Sequence, residues 1–371
     1  MRKSLIAIVS ISAFASSAQA QSNVTLYGIA DVGVLYMSNV KIANGGKAAW
    51  QMSSGNESGS RWGLLGNEDL GGGLSALFRL ENGFNLNNGT FGQGGREFGR
   101  QAYVGLGSNS FGTLTMGRQY NAIQDYLAPL AIVSVLTQFA THPYDNDNLN
   151  NTFRTDNSVK YVTPNIAGFK AEALYGFSNG TNFANNRAYS AGATYTGGSL
   201  SLGVGYARSQ NPGTIGGAVV GNPSSTTPSN PLLGASRVDQ WGAGGTYAWG
   251  PFTAGFVYTG SLYSNSTSTL AAPTGTLHFQ NYEGSVRYRV TPALVLALGE
   301  TYTGVHQSGE SGHFLQTSVG SQYSASKRTD LYASVYYQKT TARLVANIEA
   351  GPGAASGTSQ TAVVVGIRHK F

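Results

Sequence analysis

The sequence predicts an all-β fold, a 16-stranded antiparallel transmembrane β-barrel. Three observations carry that prediction. Apolar and aromatic residues recur at every second position along most of the chain. The links between these stretches alternate between short and long. The composition combines 51 glycines and 21 tyrosines in 371 residues with only 11% charged residues and no cysteine.

The N-terminus stands apart from this pattern. Arg2 and Lys3 precede an apolar run over 5–15, and Ala18-Gln19-Ala20 offers a small-x-small processing site. A charged, an apolar and a cleavable region in that order read as a secretory signal. Residues 1–20 are therefore expected to be removed after Ala20, leaving 21–371 as one barrel domain. An exported chain without cysteine forms no disulfides. The same absence removes thiolate metal sites and cysteine nucleophiles.

The body alternates with period two. Leu200, Leu202, Val204 and Tyr206 share one face, as do Phe252, Ala254, Phe256 and Tyr258. Tyr282, Gly284, Val286, Tyr288 and Val290 oppose Glu283, Ser285, Arg287 and Arg289. Further on, Leu331, Ala333, Val335 and Tyr337 oppose Tyr332, Ser334, Tyr336 and Gln338. Strand side chains switch faces at each residue, so each stretch needs one apolar and one polar surrounding. A sandwich core and a bilayer both supply the apolar side, and alternation alone does not separate them.

Link lengths do. Seven short links fall at 69–73, 108–112, 163–165, 196–198, 250–251, 290–293 and 326–329. Eight longer ones fall at 38–50, 84–97, 121–155, 178–187, 211–236, 265–277, 305–312 and 342–358. This places sixteen strands with both ends of the chain on the short-turn side, the layout of an outer-membrane barrel. Closure pairs every backbone group, which lipid demands. Glycine, normally weak in strands, is tolerated there, and tyrosines suit the two membrane interfaces.

These segments resemble a known family, the trimeric general porins of Gram-negative outer membranes in their β-proteobacterial form. The resemblance rests on VTLYGIADVG at 24–33, SRWGLLGNEDLGGGLSALFRLENGF at 60–84, GRQAYVGL at 99–106, GTLTMGRQY at 112–120, NSVKYVTP at 157–164 and VGIRHKF at 365–371. It implies a homotrimer of water-filled barrels in the outer membrane, in contact with lipid and lipopolysaccharide. Small hydrophilic solutes and anions would pass by passive diffusion, without a cofactor. It also implies that the third long loop, 121–155, folds inward to narrow the pore. Phe371 resembles the family's terminal signal for the barrel-assembly machinery.

Charge rings select ions in such a lumen. Parity places Arg61 opposite Trp62 and Leu64, and Arg79 and Glu81 opposite Phe78 and Leu80, so these three are expected to face inward. Arg154 matches the family's position for a constriction arginine, and Lys160 opposes Val159 and Tyr161 on the wall nearby. Arg100 shares parity with Val104 and Leu106, which argues against it, although the family places a basic residue there. Arg118 shares parity with Leu114 and Met116 and is left out of the set. On the acidic side, Asp125 remains at the start of the inward loop, with Glu81 and Asp31 on the wall. Its segment 127–136, LAPLAIVSVL, has no acid where the family often has several. The expectation is a positive constriction that prefers anions. The apolar run 131–136 packs against the wall or forms an apolar stripe for amphipathic solutes; both readings stay open.

Catalytic motifs are absent. His142, His278, His306, His313 and His369 form no HExxH or close ligand spacing, and there is no G-x-S-x-G elbow or P-loop. No metal site and no enzyme activity are expected. The basic residues are spread along alternating strands, unlike a nucleic-acid surface. Two other readings stand beside passive diffusion: a substrate-selective channel with a binding site on loop 121–155, and an adhesive surface barrel using 211–236.

Overall fold

The computed structural model describes residues 23–213, 217–219, 234–268, 274–341 and 343–371; the expected signal over 1–20 lies outside them. Among the described residues the chain runs through seventeen strand segments: β1 (Asn23–Ile42), β2 (Gly45–Ser54), β3 (Arg61–Gly71), β4 (Leu74–Gly83), β5 (Gln101–Ser108), β6 (Gly112–Gln119), β7 (Thr155–Val162), β8 (Phe169–Gly176), β9 (Ala188–Gly197), β10 (Leu200–Gln210), β11 (Arg237–Trp249), β12 (Phe252–Ser266), β13 (Gly275–Arg289), β14 (Leu294–Gln307), β15 (Glu310–Ser324), β16 (Thr329–Thr340) and β17 (Ser359–Lys370). All pairings are antiparallel; each strand pairs with its neighbour in sequence, except that β2 and β3 both pair with β1, and β17 returns to β1 with Ile29 opposite Lys370 and Met37 opposite Ala362. The terminal Phe371 completes the closure by exchanging backbone hydrogen bonds with Gly28 at 2.9 and 3.0 Å.

Seventeen segments make sixteen barrel positions. The first half of β1 pairs with β3, and its second half pairs with β2 on the same edge. Segments β2 and β3 are thus two halves of one strand, broken at 55–60. Asp31 stabilises the break: its carboxylate accepts the N–H groups of Glu57 and Ser58 at 2.8 and 2.7 Å and the Tyr332 hydroxyl at 2.7 Å. The expected seven short and eight long links recur, with corrected lengths. The stretch 38–50 is a hairpin turning at 43–44 rather than a loop, and β14 and β15 meet at 308–309. In the first of these hairpins residues 45–48 are exposed on both faces, so the alternation fades there.

Face assignments follow the alternation. Val204, Phe256, Val286, Leu298, Val335 and Val365 are exposed on the outside, whereas Asn281, Glu283, Ser334 and Gln338 are buried inside. An apolar exterior around a polar interior is what lipid selects. No helix among the described residues is long and apolar enough to cross a membrane.

Loop 120–154 occupies the interior. It opens with the short helix α1 (Ala122–Tyr126), capped by the Asn121 side chain accepting from Ile123 and Gln124 N–H. Single turns follow at Ala128–Leu130, Ile132–Ser134, Gln138–Ala140 and Pro143–Asp145. Ile132, Leu136 and Phe139 are buried with wall residues Val257, Ala297 and Tyr336. The apolar run 131–136 therefore packs on the wall, except that Val133 and Ser134 also touch the lumen. Polar anchors accompany this packing: Thr137 N–H donates to the Tyr336 hydroxyl at 3.1 Å, and Gln316 donates to the Phe139 carbonyl at 3.1 Å.

Inward-facing glycines make room for this close approach. A Cβ on Gly203 would collide with the Tyr126 carbonyl oxygen, and one on Gly299 would lie 2.7 Å from the Ile132 side chain. The carbonyl is fixed in backbone while the side chain can swing, so the two sites should respond differently. Overpacking typically costs ~1–3 kcal/mol. Gly203→Ala is expected to displace the loop base and shift unit conductance in planar bilayers clearly outside the wild-type distribution; Gly299→Ala should shift it less. Equal conductance for all three proteins would remove the glycines from this role.

Candidate functional site

A cavity of about 1650 Å³ lies in the lumen, between loop 120–154, the break at 55–60 and the loop 84–100. Its lining includes Arg61, Arg96, Arg100, Arg118 and Arg154, with Glu57 and Glu349 as its carboxylates. The arginines differ in what neutralises them. Arg100 is fully committed: its Nε donates to Glu81 Oε1 at 2.8 Å and its Nη2 to the Tyr120 hydroxyl at 3.1 Å. Arg96 and Arg118 share Asp156, the former at 3.1 Å. Arg61 donates its Nε to the Gly59 carbonyl at 2.9 Å, and Arg154 its Nη1 to the Asn151 carbonyl at 2.7 Å. Neither has a carboxylate within ion-pair distance among the described residues.

Arg154 is 4% exposed. Its guanidinium sits 5.6 Å from the centroid of the Tyr120 ring, and its Nε is buried without a partner. Burial, and then the charge of Arg100, push its pKa down. Guanidinium groups nevertheless stay charged in proteins, so Arg154 keeps its positive charge at the lumen.

The residues expected from the sequence separate into groups. Arg61, Arg100 and Arg154 line the cavity together. Glu81 lies behind them, buried and held by Arg100 and by the Tyr27 hydroxyl at 2.8 Å. Arg79 stands further along the inner face, 5.8 Å over the Tyr27 ring, outside the cavity lining. Lys160 and Asp125 also lie outside that lining and pair with each other at 2.6 Å, with Glu172 3.8 Å from the amine. Arg100 turns inward despite its parity because it precedes β5 and strand alternation does not bind it.

Three features escaped the sequence reading. Arg118, opposite Ala102 on the outward register, is turned in at an irregularity between Gly117 and Gln119, where it meets Asp156. Tyr120 joins Arg100 to Arg154. Glu349, on the loop after β16, places a carboxylate in the lining, and burial pushes its pKa up. The constriction region is thus less purely basic than the acid-poor segment 127–136 suggested.

A profile of the Gram-negative porin family matches residues 5–343. The chain belongs to that family. It is 33% identical to an outer membrane porin protein of Bordetella pertussis, and 29% identical to outer membrane porin protein 32 of Delftia acidovorans, with all of each chain covered. Among solved structures, the anion-selective porin from Comamonas acidovorans superposes with a TM-score of 0.76 at 26% identity, covering 94% of this chain and 100% of that one. A Vibrio cholerae OmpT structure in its trimer form, 18% identical with a TM-score of 0.67, covers 94% of this chain and 99% of its own and shares the fold. This porin is therefore an outer-membrane channel whose lumen carries the arginine cluster just described.

Proposed function

We propose that this porin conducts small hydrophilic solutes by passive diffusion with a preference for anions. One observation carries the reading: Arg61 and Arg154 line the lumen, and among the described residues no carboxylate lies within ion-pair distance of either. Low-dielectric walls strengthen the field of such charges, and rings of arginine favour anions. In this reading Arg61, Arg100 and Arg154 are the constriction residues, with Glu81 positioning Arg100. Arg79 and the Lys160–Asp125 pair shape the wall potential at one remove. The anion selectivity of the Comamonas porin agrees with it.

The same reading includes a homotrimer, cleavage after Ala20 with 21–371 as the mature barrel, recognition of Phe371 by the assembly machinery, and transport without catalysis. Under a salt gradient in a planar bilayer, the zero-current potential is expected to have the anion-selective sign; the cation-selective sign would overturn the proposal. The preference should shrink as salt rises, since the Debye length falls from ~10 Å at 0.1 M to ~3 Å at 1 M. A substrate-binding channel is the second reading, favoured by the unpartnered buried Nε of Arg154. Saturable current block by one small anion and not by others would select it.

A further inference from the structure

Two histidines, His278 and His306, stand at the long-loop ends of β13 and β14, on the outer face of the barrel. Parity fixes that side. His278 shares a face with the exposed Tyr282 and Val286, and His306 with the exposed Leu298 and Tyr302, while Leu277, Phe279 and Val305 are buried on the other. Their height follows from the same strands. Tyr258, Tyr282 and Tyr302 lie opposite one another in one row, as an aromatic belt at the membrane interface does. The histidines stand four positions beyond Tyr282 and Tyr302 toward the long loops, ~13 Å further along the strands. Ions in the water outside the membrane therefore reach them.

The two residues are directly opposite across the β13–β14 ladder. Their ring centroids are 6.2 Å apart, with the planes inclined at 66°. Two imidazole nitrogens that share one ion at ~2.0–2.1 Å put their ring centroids ~5–6 Å apart. The pair is thus a small rotation away from a chelate. His306 is already aimed: its Nδ1 lies 2.9 Å from the Oγ of Ser311, opposite it on β15. With Nδ1–H donating to that hydroxyl, Nε2 keeps its lone pair for an ion. Holding the far ring nitrogen in this way is how ligating histidines are usually oriented. His278 faces Leu262 across its other ladder, which offers its ring no hydrogen bond. His313 on β15 is engaged elsewhere, stacked on Tyr302 at 5.4 Å.

Imidazole suits zinc, copper and nickel, whereas calcium and magnesium take oxygen ligands. We propose that His278 and His306 form a two-histidine site for a divalent transition ion of that class, with Ser311 positioning His306. No group of three ligating side chains forms among the described residues, so water completes the coordination. Spacing along the chain gave no hint of this site because its two ligands meet only across a ladder. The ion ties the loop-side ends of β13 and β14 together on the outside. His278, His306 and Ser311 are all absent from the cavity lining, so conduction does not depend on the ion.

The test takes untagged mature porin, purified in detergent and stripped with a chelator, and titrates it with Cu²⁺, Zn²⁺ or Mg²⁺ alone by calorimetry. Electron paramagnetic resonance then reads the Cu²⁺ form. One Cu²⁺ per chain is expected, bound more tightly than Zn²⁺, with no measurable Mg²⁺, and its spectrum should show coupling to two nitrogens. His278→Gln and His306→Gln, made separately, should each weaken Cu²⁺ about tenfold or more and leave one coupled nitrogen. Ser311→Ala should weaken it several-fold with both nitrogens retained, and His313→Gln should bind as wild type does. Wild-type unit conductance in each variant shows that the barrel has folded. A wild-type spectrum with one coupled nitrogen or none would overturn the site. So would His278→Gln and His306→Gln channels of wild-type conductance that bind Cu²⁺ as tightly as wild type. Mg²⁺ held as tightly as Zn²⁺ would mean oxygen ligands and would overturn it too.

Discussion

The double variant Arg61→Gln/Arg154→Gln is expected to lose most of the anion preference, its anion/cation permeability ratio falling roughly tenfold at 0.1 M salt. A unit charge about 8 Å from a passing ion acts with ~2 kcal/mol at an effective dielectric constant near 20. Two such charges therefore exceed what a tenfold ratio needs, and screening takes up the difference. The choice of residues follows from their partners. Removing Arg100 instead would strand Glu81, buried at 3% exposure, and breaking a buried pair typically costs ~3–5 kcal/mol. Its effect on selectivity would be mixed with loss of folded protein. Arg96 and Arg118 share Asp156, so the field of each is already reduced. Arg61→Lys is the matching control and should keep the ratio close to wild type, because only the charge is asked for. Arg79→Gln, outside the cavity lining, should lower it less than either single cavity variant. Zero-current potentials of the set decide the matter: a double variant with the wild-type potential would remove both arginines from the selectivity mechanism.

What the sequence made legible is what depends on neighbours within one strand. Tyr282, Val286 and Tyr288 against Glu283 and Ser285 declare the two faces of β13 without any knowledge of β12 or β14, and the link lengths then set the strand count. Arg61 was readable for the same reason. Arg100 was not, since it stands one residue before a strand and its side chain is aimed by Glu81, nineteen residues away. Glu349 sits in a loop with no period. The break at 55–60 left no trace in the alternation because β2 and β3 keep one line along β1. Glycine content was legible as tolerance and acquired a second cause only in three dimensions, where Gly203 and Gly299 admit the loop to the wall. The most consequential contact of that loop joins residues 141 positions apart. No local pattern could have announced it.

That contact is His142. The ring is buried between Asp147 Oδ2 at 2.6 Å and Glu283 Oε2 at 3.1 Å, and Glu283 Oε1 also accepts the Ile132 N–H at 2.7 Å. Thr259 and Asn281 of the wall donate to Asp147, and Tyr263 and Gln240 donate to the neighbouring Asn146 carbonyl. Burial works against the charged ring, but Asp147 and then Glu283 outweigh it and hold the His142 pKa up at about 10. Asp147 is held low by His142 in spite of its burial. A raised histidine stabilises the docked loop fully below its ordinary value of 6.5, and the contribution is lost as pH climbs toward 10. Asp147, being lowered, contributes above its ordinary 3.8 and is lost on acidification. The latch therefore holds through neutral pH and loosens on the alkaline side. His142→Ala leaves two buried carboxylates without their cation, at ~3–5 kcal/mol. Burial of Ile132, Leu136 and Phe139 still favours the loop inside by ~1.5–3 kcal/mol each, so it loosens without leaving. Wild-type single-channel current is expected to grow noisy reversibly between about pH 8 and 10, with open-state noise rising severalfold. His142→Ala should be noisy already at neutral pH and nearly flat with pH, which separates the latch from other groups that titrate in the alkaline range. Glu283→Gln, keeping a hydrogen-bond acceptor, should fall between the two. Wild-type noise that is the same at neutral and alkaline pH, or a His142→Ala channel as quiet as wild type at neutral pH, would leave the loop held by its apolar packing alone.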